Sequence, residues 1–410
     1  MFTLVIVVFG VVYLGMALGR WPGLSIDRTG VAVVGAIVLY AAGAVDAATV
    51  RGAIHVPTLM VLFGLMVLSA QFAASGFYDW CAARLCAARL SPAGLIALVT
   101  VVAGGLSAVL ANDVVVYAMT PMLCRGMAAR GLDPRPYLIA LACAANAGSA
   151  ATIIGNPQNI LIGQTGGLDF WRFLAVCGPP ALASLGLVFA GVWLTWRRHL
   201  AVAVAAPGSF EAHEPVDRPM LAKAAVATGV LLALFATPLP QVVSVLIVAG
   251  ALLVSRRLAT RQMLGMVDWH LLVLFAGLFV VTGALSATGT PERALAALEA
   301  AGVHIDRLGP IAALSLAGSN SIGNVPLVVL ALSSVAHPTP AMLYALALLS
   351  TLAGNLFIVG SLANIIVAER AAQSGVRLSF VDHARSGVPV TLASFAVSMA
   401  WLAFAVPALG

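Results

Sequence analysis

Apolar runs of bilayer-crossing length recur from one end of this chain to the other. Of its 410 residues, 61% are hydrophobic and 9% charged, against roughly a quarter charged in an ordinary soluble domain. No water-soluble fold could bury that much apolar surface, so lipid is the expected solvent. Backbone polar groups at membrane depth must then be satisfied inside the protein. The first run, Phe2 to Leu18, has no basic segment before it and reads as a membrane helix rather than a signal peptide.

Three blocks recur in the same order. Leu62-Phe63 returns at Leu274-Phe275, and Asn112 returns at Asn324, both 212 positions on. Gly155-Asn-Pro-Gln-Asn159 returns as Gly360-Ser-Leu-Ala-Asn364, 205 positions on. The pattern predicts an all-α polytopic membrane protein of two repeats, residues 1–199 and 220–410, joined by a cytoplasmic linker at 200–219. Helices are expected near 2–19, 29–46, 56–75, 137–164 and 170–196. In the second repeat they are expected near 220–237, 240–255, 268–288, 341–368 and 388–408. The 137–164 and 341–368 segments are interrupted by Gly, Asn and Pro and read as broken helices. The stretches 93–127 and 309–336 read as re-entrant hairpins that turn at polar residues.

Counting the hairpins as re-entrant, each half crosses five times, which forces the second half to be inverted. Arg51, Arg172, Arg293 and Arg307 then fall outside, and the other seventeen Lys and Arg residues fall inside, the bias expected of cytoplasmic loops. Both termini are expected outside. The net charge of +6 is thereby a matter of topology, and no dense basic patch suggests nucleic acid. Cys81, Cys86, Cys124, Cys143 and Cys177 lack paired metal spacing and read as packing residues.

Four polar segments sit where lipid should be. The first hairpin tip runs from Ser107 to Asn112-Asp113, and the second holds Ser319-Asn320-Ser321 and Asn324. The first broken helix carries Asn146, Ser149, Thr152 and Gly155-Asn156-Pro157-Gln158-Asn159; the second carries Thr351, Asn355, Gly360-Ser361 and Asn364. Gly and Pro stop helices and free carbonyls, which with Asn and Ser oxygens suit a hard cation such as sodium. Half-helix N-termini suit an anion. Inverted repeats with discontinuous helices at the midplane point to a transporter site. Asp113, an acid deep in the membrane and away from a helix end, is a functional suspect by default, for a coupling sodium ion or a proton. The histidines, His383 among them, fall in predicted loops or at helix ends. Phosphate loops, regularly spaced arginines, zinc motifs and nucleophile elbows are absent from the sequence. Transport driven by an existing gradient is the expectation, with neither cofactor nor enzymatic activity.

These segments resemble the ion transporter superfamily, which includes divalent anion:sodium symporters, citrate transporters, arsenite exporters and some sodium/proton antiporters. The second-half motifs resemble the arsenite exporter branch, and Gly-Asn-Pro-Gln-Asn the broader anion permease pattern. Where symporters of the superfamily carry Ser-Asn-Thr at both tips, this chain reads Ala-Asn-Asp and Gly-Ser-Asn-Ser. The resemblance implies a cation site in each half with a small anion between them. Asn112, Asp113, Asn156 and Asn159 would form the first; Asn320, Asn324, Asn355 and Asn364 would form the second. It also implies a scaffold part and a moving transport part, often as a homodimer. Three mechanisms fit: an inner-membrane anion permease coupled to sodium or protons, a sodium/proton antiporter using Asp113, and a passive channel.

Overall fold

The computed structural model describes residues 1–19, 21, 23–200, 216–335 and 337–406. Arg20 of the charge count, most of the 200–219 linker and the last residues of the final expected helix lie outside the described residues. Within them the chain is helical, and its helices repeat ten by ten. The first ten are α1 (Phe2–Leu18), α2 (Arg28–Ala41), α3 (Ala47–Ala53), α4 (Val56–Ala74), α5 (Phe77–Ala87), α6 (Pro92–Val109), α7 (Asn112–Ala129), α8 (Arg135–Ser149), α9 (Pro157–Gly166) and α10 (Phe170–Leu200). Their counterparts are α11 (Arg218–Leu234), α12 (Gln241–Leu253), α13 (Thr260–Gly265), α14 (Trp269–Ser286), α15 (Thr290–Ala300), α16 (Leu308–Ser321), α17 (Asn324–Ser334), α18 (Pro340–Ala353), α19 (Leu362–Gln373) and α20 (Phe380–Ala405).

Local chemistry sets the helix starts. Ser91, Asn156 and Thr339 each cap a helix whose first residue is proline, where the missing N–H costs nothing and the fixed φ already suits a helix. The hairpin turn between α6 and α7 is only Leu110-Ala111, and the unwound segments are 150–156 and 354–361. α4, α6, α10, α14 and α20 are each long and apolar enough to cross a bilayer. α8 is buried at almost every position and sits at the centre of the molecule. By contrast, Val7, Val11, Leu14 and Leu18 of α1 are exposed on a face suited to lipid.

The inversion is visible in how counterparts meet. His55, at the start of α4, lies against Phe279 just past the middle of α14 (ring centroids 6.4 Å), while Phe63 lies 6.0 Å from Trp269 at the start of α14. These corresponding helices therefore run antiparallel. Packing then exchanges across the repeat axis: α2 packs on α14 as α12 packs on α4, and α6 on α8 as α16 on α18. The helices sort into two bodies. One holds α1–α4 and α11–α14; the other holds the hairpins, the broken helices and the mutually packed α10 and α20.

Some expectations need correction. The helix expected at 29–46 ends at Ala41, turns through Gly43 (φ 69°) and resumes as α3, capped by Asp46. The last helix begins at Phe380 rather than near 388, because Ser379 and Asp382 form a reciprocal capping box. That places His383 inside the helix, fully buried, with Nε2 3.0 Å from the Asn355 carbonyl oxygen. Asp113 is not away from a helix end, since it occupies the first turn of α7.

Candidate functional site

The unwound backbone of the two halves meets at the centre of the molecule, held by side-chain amides that obey the repeat symmetry. Asn159 Nδ2 donates to the carbonyls of Ser149 (3.2 Å) and Thr152 (3.0 Å). Its counterpart Asn364 donates to Gly354 (2.7 Å) and Phe357 (3.1 Å), each acceptor displaced by the same 205 positions. Each asparagine thus closes its own gap by bonding the carbonyls that unwinding set free.

The halves are also bonded to each other. Ser361 Oγ donates to Asn146 Oδ1 (2.9 Å), and its counterpart Asn156 donates through Nδ2 to Thr351 Oγ1 (3.3 Å). Asn146 Nδ2 donates to Asn364 Oδ1 (3.1 Å), matched by Thr351 Oγ1 to Asn159 Oδ1 (3.3 Å). Asn146 further donates to Asn355 Oδ1 (2.9 Å). All these residues are buried. Their polar groups are spent on one another, which makes them cross-braces between the halves.

A second group of polar atoms is left open. The carboxylate of Asp113 makes no hydrogen bond or ion pair with any described residue. The Oδ1 atoms of Asn112, Asn320 and Asn324 and the hydroxyl of Ser107 are buried without a partner. A buried polar atom left unpaired in a native fold calls for an explanation. Asn112, Asp113, Pro157, Asn324 and Ser361 all line one cavity, with about 60 Å³ of space for water centres, enough for about four waters. The N-termini of α7, α9, α17 and α19 all border it, each carrying a partial positive charge. Its remaining lining is largely apolar, including Met16, Leu271, Leu274 and Val359. A smaller cavity on the other side of Asp113, also bordered by Asn156 and Pro157, leads to Asp268 at the start of α14.

The oxygen-only set in this lining, the Asp113 carboxylate with the amide oxygens of Asn112 and Asn324, fits a hard monovalent cation as cargo. Among the described residues no three His, Cys, Asp or Glu side chains gather as a transition-metal site would require. The glycines secure the close approach: a Cβ at Gly360 would fall on Asn320 Oδ1, and one at Gly155 would press on the Ser149 and Ser107 carbonyls. Asn320 Nδ2 meanwhile braces the carbonyls of Leu316 and Ala353, both at 2.9 Å. Ser319 Oγ bonds to the Ser350 carbonyl (3.1 Å), and Thr152 Oγ1 to that of Ala108 (2.6 Å).

The structure thus brings the sequence-predicted residues together with one exception. Ser321 is exposed and bonds only to the Ala317 carbonyl of its own helix. Sequence reasoning missed two of the polar side chains that line the cavity. Gln158, inside the quoted motif, lines the cavity and donates to Thr351 Oγ1 (3.2 Å). Arg28, counted only for topology, lines it from α2.

The cavity is one-sided. α9 packs against α4, and α17 against α14, so the bundle closes on the other body where those helices end. The exchanged pairs, α19 with α14 and α7 with α4, make at most marginal contact among the described residues. The gap lies beside Arg28 and Leu271, at the end of the molecule where His270 Nε2 meets Asp27 (3.0 Å).

Comparison with known proteins accords with this architecture. Residues 4–344 match the citrate transporter family. The chain belongs to that family. A relative at 32% identity over 407 residues, covering 92% of this chain and 94% of its own length, is a Mycobacterium tuberculosis protein named only as an uncharacterized transporter. The silicon efflux transporter LSI3 of Oryza sativa subsp. japonica is 26% identical and is covered over 96% of each chain. Among solved structures, the YdaH transporter of Alcanivorax borkumensis shares the fold, with a TM-score of 0.62 at 15% identity over 99% of this chain and 98% of that one. This citrate transporter family member is therefore an integral membrane transporter and not an enzyme.

Proposed function

We propose that the protein is a secondary active transporter that carries a small anion across the inner membrane by alternating access, coupled to sodium or protons. The observation that carries this reading is the unpartnered Asp113 carboxylate in a cavity that Asn112 and Asn324, each with a partnerless amide oxygen, also line and that four helix N-termini border. Cation and anion would each find their chemistry within one small space. With the arginine-rich loops inside, both termini face outward, the linker is cytoplasmic, and the cavity opens inward. The family's citrate and the silicon handled by LSI3 define two probes of different charge.

The test is uptake of citrate and silicate by proteoliposomes under an imposed sodium or pH gradient, with wild type and Asp113→Asn. Gradient-driven accumulation that Asp113→Asn abolishes, in a protein of unchanged fold, supports the reading. Accumulation equal in the variant removes Asp113 from coupling. Sodium-for-proton exchange without anion movement would favour the antiporter that Asp113 alone could serve. Flux far above carrier turnover without a coupling ion would favour a channel.

A further inference from the structure

Arg28 is the first residue of α2, and among the described residues it is the one cationic side chain that borders the central cavity, as Asp113 is the one acid. Its Nε donates to the Met16 carbonyl (3.0 Å), which holds the stem against the last turns of α1. Arg28 lines the cavity wall, and a guanidinium carries four N–H donors besides Nε. From the bundle side the acid acting on it is Glu369 of α19. Arg28 belongs to the body of α1–α4 and α11–α14, since α2 packs on α14 and α1. Asn112, Asp113, Asn324 and Ser361 belong to the other body.

We propose that Arg28 reads the charge of the transported anion, and that it does so from one face of the membrane only. This rests on the permease reading above. The four helix N-termini and the partnerless amide oxygens travel together, so they greet the solute in whichever state is open. Arg28 stands on the opposite wall. Any movement that closes the gap beside α7 and α19 and opens the one beside α9 and α17 changes its distance from the bound solute. It therefore adds affinity in the state shown here and little in the exchanged state. A charge-assisted hydrogen bond of this kind corresponds to roughly a ten- to hundredfold change in affinity.

The experiment measures initial rates from each face in proteoliposomes of determined orientation, for wild type, Arg28→Gln and Arg28→Lys. Citrate is the anionic probe and silicic acid, uncharged at neutral pH, the neutral one. Arg28→Gln is expected to raise the citrate KM from the Arg28 face by roughly ten- to a hundredfold, and that from the opposite face by less than about twofold. The silicic acid KM should hold. Arg28→Lys, which loses the tie to Met16 but keeps the charge, should recover most of the citrate affinity. Equal KM increases from both faces, equal losses for both probes, or no rescue by lysine would overturn the assignment and reduce Arg28 to a structural tie. Wild-type transport is established by the assay above, so a flat Arg28→Gln result overturns this inference while the permease reading stands.

Discussion

The separation of braces from open oxygens predicts two classes of asparagine variant. Asn146→Ala removes the donor for Asn355 Oδ1 (2.9 Å) and Asn364 Oδ1 (3.1 Å) and the acceptor for Ser361 Oγ (2.9 Å). All three partners are buried. Interhelical hydrogen bonds in membrane proteins average roughly 0.6 kcal/mol each, which sets a floor near 2 kcal/mol for three. Stranding a buried polar group costs about 1–3 kcal/mol, so partial relaxation leaves an expected total of about 2–5 kcal/mol. Asn112→Ala is the matched control, because its side chain makes no hydrogen bond to a described residue. It should cost under about 1 kcal/mol, as do most substitutions that break no such network. It should nevertheless impair gradient-driven transport. Reversible unfolding in mixed micelles gives the stabilities, and proteoliposome uptake gives the transport. Equal destabilisation by the two variants, or an unaltered stability in Asn146→Ala, would refute the division.

Gly360→Ala places a methyl group on Asn320 Oδ1, whereas Gly105→Ala meets nothing within 4 Å. The first should weaken cation-dependent transport at least tenfold, as a misplaced ligand does, and the second should leave it unchanged; cation titration of uptake rates separates them. Reporter fusions at both termini should register outside, and a cysteine replacing Ser209 in the linker should label only from the cytoplasm. Opposite sides for the two termini would cancel the argument from five crossings per half.

What could be read in advance follows from how membrane sequences are punctuated. The first hairpin, expected at 93–127, runs from Pro92 to Ala129, because Ser91-Pro92 and Asn112-Asp113 are unambiguous start signals amid apolar residues. The short helices α3, α5, α13 and α15 escaped notice. α5 carries Asp79 and Arg84, with Arg84 lying over Trp80, and charge at that density reads as a loop when the lipid boundary is unknown. The start of α20 was hidden likewise: Asp382 reads as loop until Arg135 is found beside it at 3.6 Å. Asparagine identity flagged the site, yet nothing in a string of letters tells a brace such as Asn146 from an open ligand such as Asn112. That distinction belongs to partners 200 positions away. Arg28 was concealed by a sufficient explanation, since any arginine between two membrane helices satisfies the charge rule.

The repeats also explain why the direction of opening lies outside the sequence. Two inverted copies specify two equivalent sets of contacts, related by exchanging each helix with its counterpart. Closure of α9 on α4 and α17 on α14 is one set. Applying the exchange turns it into α19 on α14 and α7 on α4, the pairs that stand apart here. The amide lattice at the axis changes little under that exchange, because its bonds already map onto one another, Asn159 to Asn364 and Asn146–Ser361 to Thr351–Asn156. The centre is therefore common to both states while the flanks are not. Only interactions that break the repeat can favour one state, and the charged ones at the cavity among the described residues are Asp113, where the second half has Val325, and Arg28, whose counterpart position is Pro240 just ahead of α12. Under the proposed coupled transport, the two charges that violate the symmetry are the two through which solute and coupling ion tell the open faces apart.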